Sequence, residues 1–176
     1  MADNIRTLYQ GQFLVSRDPN DCIVTVLGSC IAACVYDPVA KVGGANHFLV
    51  AHGPKDSEHN LRYGLHAMEL LINGLLKEGA DRKRLVAKVF GGAKMFDEMT
   101  DIGRMNSEFA LGFLDDEGIP CLSQSTLGRH ARRLRFWPAT GRAQQRIVDA
   151  NEVAAEDRTP VSTTKTTGSE VLLFGT

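Results

Sequence analysis

An apolar, β-rich run, Cys22-Ile23-Val24-Thr25-Val26-Leu27, breaks at Gly28-Ser29 and resumes as Ile31-Ala32-Ala33-Cys34-Val35-Tyr36, leaving Cys30 in the gap. So short a break between two hydrophobic runs makes the chain turn and presents a side chain at the end of an element. Gly43-Gly44-Ala45-Asn46 then leads to His47, at the head of another apolar run. A cysteine and a histidine, each beside glycines and each at the edge of an apolar segment, form the pattern of a thiol nucleophile and its base. A structural alternative stands beside it. Free cysteine is among the most buried residue types, so spacing alone favours Cys30 as a small core residue and His47 as a hydrogen-bonded core histidine.

The chain has 176 residues, enough for one domain with a real core. A compositional change near Asp149 divides it into a domain at 1–148 and a polar, Thr-rich tail at 149–176, expected to be flexible. The net charge of −1 excludes an overall basic chain, and no nucleic-acid partner is expected. No apolar run approaches the ~18 residues of a membrane span, and the first residues lack a signal-peptide core. The expected location is therefore the cytoplasm, without membrane insertion, where Cys22, Cys30, Cys34 and Cys121 stay reduced. Cys30 and Cys34 would point the same way from a strand, which leaves a redox pair open. His52, His59 and His66 lack a carboxylate or thiol at ligand spacing, so no metal and no cofactor are expected.

Along the chain, 8–15 reads as a short mixed segment, 22–27 as a strand, 31–36 as a strand or helix start, and 47–50 as a strand. A polar loop follows at 54–61. Leu65, Met68, Leu71, Ile72, Leu75 and Leu76 fall on one face of a helix over 63–77 that stops at Gly79. A strand at 85–90 ends in Gly91-Gly92, read as a tight turn, because no nucleotide-binding glycine pattern accompanies it. Asn106 is the expected N-cap of a second helix over 106–117, and 119–125 reads as a strand. From Gly118 to Val148 there are no acidic residues, while Arg129, Arg132, Arg133, Arg135, Arg142 and Arg146 accumulate. This is either a solvated strand face or a basic docking surface for an acidic partner. The closing cluster Val171-Leu172-Leu173-Phe174 either folds back on the domain or docks a partner.

In order along the chain, Thr25-Val26-Leu27-Gly28-Ser29-Cys30, Val35-Tyr36-Asp37-Pro38, Gly43-Gly44-Ala45-Asn46-His47-Phe48, Tyr63, Lys88 to Phe96, Ile102-Gly103 with Asn106, and Arg133 to Arg142 resemble the chemoreceptor glutamine deamidase (CheD) family. The resemblance implies a mixed α/β (α+β) domain: a sandwich-like β-sheet core with two amphipathic helices packed outside. It implies a hydrolase that converts glutamines on the cytoplasmic helices of chemoreceptors to glutamate, with Cys30 as nucleophile and His47 as catalytic histidine. The family's third residue is a threonine on the strand before the cysteine. Strict spacing puts it at Val24, so either Thr25 turns to His47 or a backbone carbonyl holds the histidine. Leu127-Gly128 stands where the family carries a glycine pair.

The implied chemistry sets further expectations. The backbone around Gly28 and Ser29 would supply the oxyanion donors. Arg132, Arg133 and Arg135 would dock the glutamate-rich receptor helices. A CheC-type phosphatase is a second implied partner. The alternatives are another thiol amidase or peptidase, or an adaptor with reduced catalysis.

Overall fold

Asp21–Leu27 and Ile31–Asp37 are buried at every position. Both runs are therefore strands covered on both faces, and the rest of the chain supplies the covering layers. The computed structural model describes residues 2–50, 57–97, 101–149, 151–153 and 172–173. In order these form β1 (Asn4–Thr7), β2 (Gln12–Ser16), β3 (Asp21–Leu27), β4 (Ile31–Asp37), β5 (Val42–Asn46), α1 (Ser57–Lys77), β6 (Val86–Gly91), α2 (Ile102–Asp116), β7 (Cys121–Thr126), β8 (Ala131–Trp137), β9 (Arg142–Val148) and β10 (Leu172–Leu173). Among these residues, one sheet runs β1-β3-β8-β9 and the other β10-β2-β5-β4-β6-β7.

Strand alternation sorts the side chains into layers. Ile23, Leu27, Leu134 and Phe136 from the first sheet meet Leu14, Ala32, Cys34, Tyr36, Ala45 and Phe90 from the second. The opposite face of the second sheet, including Phe13, Ala33, Val35 and Val89, packs on Met68, Leu71, Ile72 and Leu75 of α1 and on Ala110, Phe113 and Leu114 of α2. Each such apolar side chain stabilises by about 1.5–3 kcal/mol when fully buried. The architecture is the expected α+β sandwich with its helices outside.

Several boundaries differ from the sequence reading. β5 lies at Val42–Asn46, one step before the expected 47–50 strand. Its glycines hide the signal, yet they are needed: a Cβ on Gly43 would lie 2.3 Å from the Pro138 carbonyl oxygen. α1 begins at Ser57 and so absorbs part of the expected polar loop. α2 begins at Ile102, capped by the Asp101 side chain, which accepts from Arg104 N–H. Asn106 is thus an interior helix residue and not a cap. The 8–15 segment holds the 8–11 turn that joins β1 of one sheet to β2 of the other, followed by most of β2 itself. Gly79, at φ +97°, ends α1 as expected.

No disulfide joins Cys30 to Cys34. Both are thiols, and the strand from Ile31 to Cys34 alone spans ~10 Å, beyond disulfide reach. Leu172–Leu173 pairs antiparallel with Gln12 and Phe13 on the edge of the second sheet, so this end of the tail folds back on the domain. The rest of the tail, apart from 149 and 151–153, lies outside the described residues, as does His52. Among the described residues no helix is long and apolar enough to cross a membrane.

Candidate active site

Three backbone segments meet at one end of the sandwich: the β1–β2 turn, the β3–β4 turn, and the exit from β5. Leu8 N–H donates to Val24 O (2.8 Å), Gly11 N–H to His47 O (2.7 Å), and Ile31 N–H to Phe48 O (3.0 Å). The β4–β5 register pairs Cys34 with Ala45, and an isolated bridge continues it to Ile31 and Phe48. Ala32 therefore lies opposite His47, and Cys30 is the diagonal neighbour of His47 on the same face. That face looks into the seam between the sheets, where Cys30 packs on the inter-sheet core. The spacing of the two residues in sequence is the length of one β-hairpin in this register.

Thr25 reaches the seam from the opposite sheet. Its Oγ1 lies 2.8 Å from His47 Nδ1 and 2.7 Å from Leu8 O. A carbonyl only accepts, so the hydroxyl proton goes to Leu8 O, and Oγ1 is left to accept from His47 Nδ1–H. His47 Nε2 is then the unprotonated nitrogen. His47 is 7 % exposed, and burial pushes its pKa down to about 4, opposed only in part by the Leu8 carbonyl. The imidazole is neutral at pH 7. The Thr25 hydroxyl thus contacts the histidine directly, and the Leu8 carbonyl in turn accepts from that hydroxyl.

The Cys30 loop is held by its carbonyls. Ala93 N–H donates to Gly28 O (2.9 Å) and Gly92 N–H to Cys30 O (2.8 Å), while Asn106 Nδ2 donates to Ser29 O (2.9 Å). Peptides are planar and trans, so with these carbonyls drawn toward β6 and α2, the N–H groups of Ser29 and Cys30 point the opposite way. Gly91 (φ +112°) is required here, since a Cβ would lie 2.1 Å from Cys30 O. Gly28 is less tightly constrained: a Cβ there would press on Met95 Cγ at 3.2 Å, a side chain able to shift.

Asn106 is the residue whose role sequence reasoning missed most clearly. Fully buried, it also accepts from Val50 N–H (2.8 Å) through Oδ1, bridging the segments that follow β3 and β5. A large polar residue on the helix face that also carries Ala110, Phe113 and Leu114 was the available signal. Tyr63 projects from α1 beside the site. A Cβ on Gly11 would lie 3.6 Å from its hydroxyl, and burial, with Cys30 nearby, pushes the phenol up. Gln10, in the β1–β2 turn, accepts from the Cys30 thiol at 3.2 Å.

The expected docking arginines separate by strand alternation. Arg132 faces inward at 8 % exposure and donates to the Ser125 and Leu127 carbonyls, so its guanidinium is not offered to a partner. It secures the β7–β8 turn, where Leu127 (φ +69°) and Gly128 (φ +79°) are both left-handed, the conformation a glycine pair favours. Arg133 and Arg135 lie on the outer face. Arg133 pairs with Glu152 (3.7 Å) and Arg135 with Asp3 (2.7 Å), and Arg135 and Arg142 both stack on Trp137.

The fold and site define a two-sheet α+β sandwich with a threonine-held histidine beside a cysteine at its rim. A family model described as CheD chemotactic sensory transduction matches residues 48–147. A protein of Caulobacter sp. (strain K31) named "Probable chemoreceptor glutamine deamidase CheD" is 56% identical over 153 residues, covering 86% of this chain and 81% of that one. An identically named protein of Rhizobium rhizogenes (strain K84 / ATCC BAA-868) is 49% identical over 174 residues, covering 95% and 94%. Alignments of this length necessarily include Cys30 and His47. A crystal structure of the Bacillus licheniformis hypothetical protein YfiH aligns at TM-score 0.46 with 15% identity, over 72% of this chain and 61% of that one. The chain belongs to the CheD family.

Proposed function

We propose that this chain hydrolyses the side-chain amide of particular glutamines on chemoreceptors, giving glutamate and ammonia, with Cys30 as nucleophile and His47 as proton carrier. The observation that carries the reading is the Thr25–His47 contact. It fixes a neutral imidazole with its basic nitrogen unprotonated, on the same sheet face as a partly exposed thiol.

A primary amide is a weak electrophile, and a thiol is mostly protonated at neutral pH, so sulfur must lose its proton as it attacks. His47 Nε2 takes the Cys30 proton while sulfur bonds to the amide carbon. The oxyanion is met by the N–H groups of Ser29 and Cys30, whose orientation the anchored carbonyls set beforehand. The C–N bond then breaks as His47 returns the proton to nitrogen, releasing ammonia and leaving a thioester. Water, deprotonated by His47, attacks that thioester; the glutamate leaves and the Cys30 thiol is restored.

The outer arginines Arg133 and Arg135 give the acidic receptor helices a cationic face to approach. Partnership with a CheC-type phosphatase comes from the family resemblance alone, and co-purification with such a phosphatase tests it. The activity is tested by ammonia release from a receptor cytoplasmic fragment and from free glutamine. The reading predicts release from the fragment only, and none with Cys30→Ala. Equal turnover of free glutamine would make the chain a small-molecule amidase instead.

A further inference from the structure

One residue that touches the Cys30 thiol is itself a glutamine. Gln10 Oε1 accepts from Cys30 Sγ–H at 3.2 Å, so a primary carboxamide, the functional group this enzyme acts on, already stands at the sulfur. The placement is built into the fold. Gln10 is the second residue of a turn closed by Gln12 N–H to Tyr9 O (3.1 Å), with Gly11 at φ +85°, as the third residue of a type II turn requires. The Gln12 side chain also accepts from Tyr9 N–H (3.1 Å). The turn is tied to the catalytic segment on both sides, by Gly11 N–H to His47 O and by His47 N–H to Gln12 O (3.1 Å).

We propose that Gln10 is the internal occupant of the substrate's carboxamide subsite, and that a receptor glutamine must displace it before Cys30 can attack. The inference rests on Cys30 being the nucleophile. Gln10 survives in place because sulfur meets its amide through the oxygen, with S–H donating, whereas attack requires the sulfur lone pair on the carbon. The backbone ties of the turn to His47 fix the point from which the Gln10 side chain reaches the sulfur. While Gln10 is seated, the thiol proton is held toward an amide oxygen, so the occupied site is less reactive than the open one. A thiol is a weak donor, so the occupant yields readily. An occupied site lowers apparent affinity by the fraction of time it stands open.

The test is the rate at which iodoacetamide, itself a primary carboxamide, alkylates Cys30 in the full chain. The rate is followed by peptide mass spectrometry and referred to the exposed Cys121 of the same molecule. Gln10→Ala and Gln10→Ser are expected to speed Cys30 alkylation roughly three- to tenfold and to lower KM for a receptor fragment by a similar factor, with kcat little changed. Gln10→Glu is expected to slow alkylation, because a carboxylate holds the thiol proton more strongly. Unchanged or slower alkylation in both neutral variants overturns the proposal. So does a Cys30-dependent Gln→Glu mass shift at position 10 of the wild-type chain, which would make Gln10 a substrate. Activity surviving in Cys30→Ala would instead overturn the nucleophile assignment itself, so the two failures are distinguishable.

Discussion

The hydroxyl of Thr25 lies 2.8 Å from Nδ1 of His47 while donating its own proton to the Leu8 carbonyl. The tautomer of His47 is therefore set from the other sheet of the sandwich, by a residue buried to 1 % exposure. Replacing Thr25 by valine keeps the shape but leaves Nδ1–H and Leu8 O without this partner. Loss of an oriented general base costs roughly 10²- to 10⁴-fold in rate. Thr25→Val is expected to lose kcat in that range with little change in KM, and Thr25→Ser to restore most of it. Steady-state ammonia release measures both; a Thr25→Val enzyme of normal kcat would remove the orienting role.

The pH dependence follows from His47. Its folded pKa is about 4, against 6.5 for the free group, chiefly because of burial. The unfolded chain therefore binds a proton that the folded chain refuses between those values. The stability contributed by the neutral imidazole is fully present above pH ~6.5 and is lost as pH falls toward 4, a change of roughly 3 kcal/mol. Urea unfolding across this window should show that slope in the wild type and a shallower one in His47→Gln. The same depression keeps the base active in acid, so kcat/KM should begin to fall only near pH 4 to 5. An acid limb near 6.5 would mean that His47 is solvated.

Asn106 bridges Ser29 O and Val50 N–H. Asn106→Ala should destabilise by about 1–3 kcal/mol, because it strands buried polar groups. It should also lower kcat, because Ser29 O no longer sets the direction of the Cys30 N–H. Asn106→Asp keeps only the acceptor for Val50 N–H. If it matched wild-type kcat, the Ser29 tether would be unimportant for catalysis.

Arg133 and Arg135 share the outer face of β8, whereas Arg132 is turned inward. The double change Arg133→Glu with Arg135→Glu is expected to slow receptor deamidation more at low salt than at high salt, since exposed charges are screened within about 10 Å at 0.1 M. Its turnover of a short glutamine peptide should be unaffected. Equal rates at every ionic strength would reduce these arginines to a solvated face. Arg132→Glu, in contrast, should impair folding, because a carboxylate would replace the donor to Ser125 and Leu127.

Hydrophobic patterning revealed the parts that are continuously apolar or striped at helical spacing: the 22–27 strand, the 31–36 segment and the apolar face of α1. It failed where packing overrides propensity. β5 is written in glycines because neighbouring backbone leaves no room for a Cβ, so the strand signal appeared only after it ended. Asn106 resembled a cap because asparagine favours helix starts, yet its partners are 56 and 77 residues away in sequence, a pairing no local pattern carries. Cys30 and His47 were visible as a pair. Choosing between Val24 and Thr25 required the register of β3, in which Ile23, Thr25 and Leu27 share the inward face. Gln10 carried no signal at all, since only the turn between the sheets brings it to the thiol.

If Cys30 is the nucleophile, receptor glutamines become glutamates only when its thiol is present. The most direct measurement is mass spectrometry of a chemoreceptor co-expressed with the wild-type chain or with Cys30→Ala, scored for Gln→Glu conversion at each cytoplasmic glutamine. Conversion is expected at particular glutamines with the wild type and none above background with Cys30→Ala. Conversion that persists with Cys30→Ala, or its absence with a folded wild-type chain, would contradict this role of Cys30.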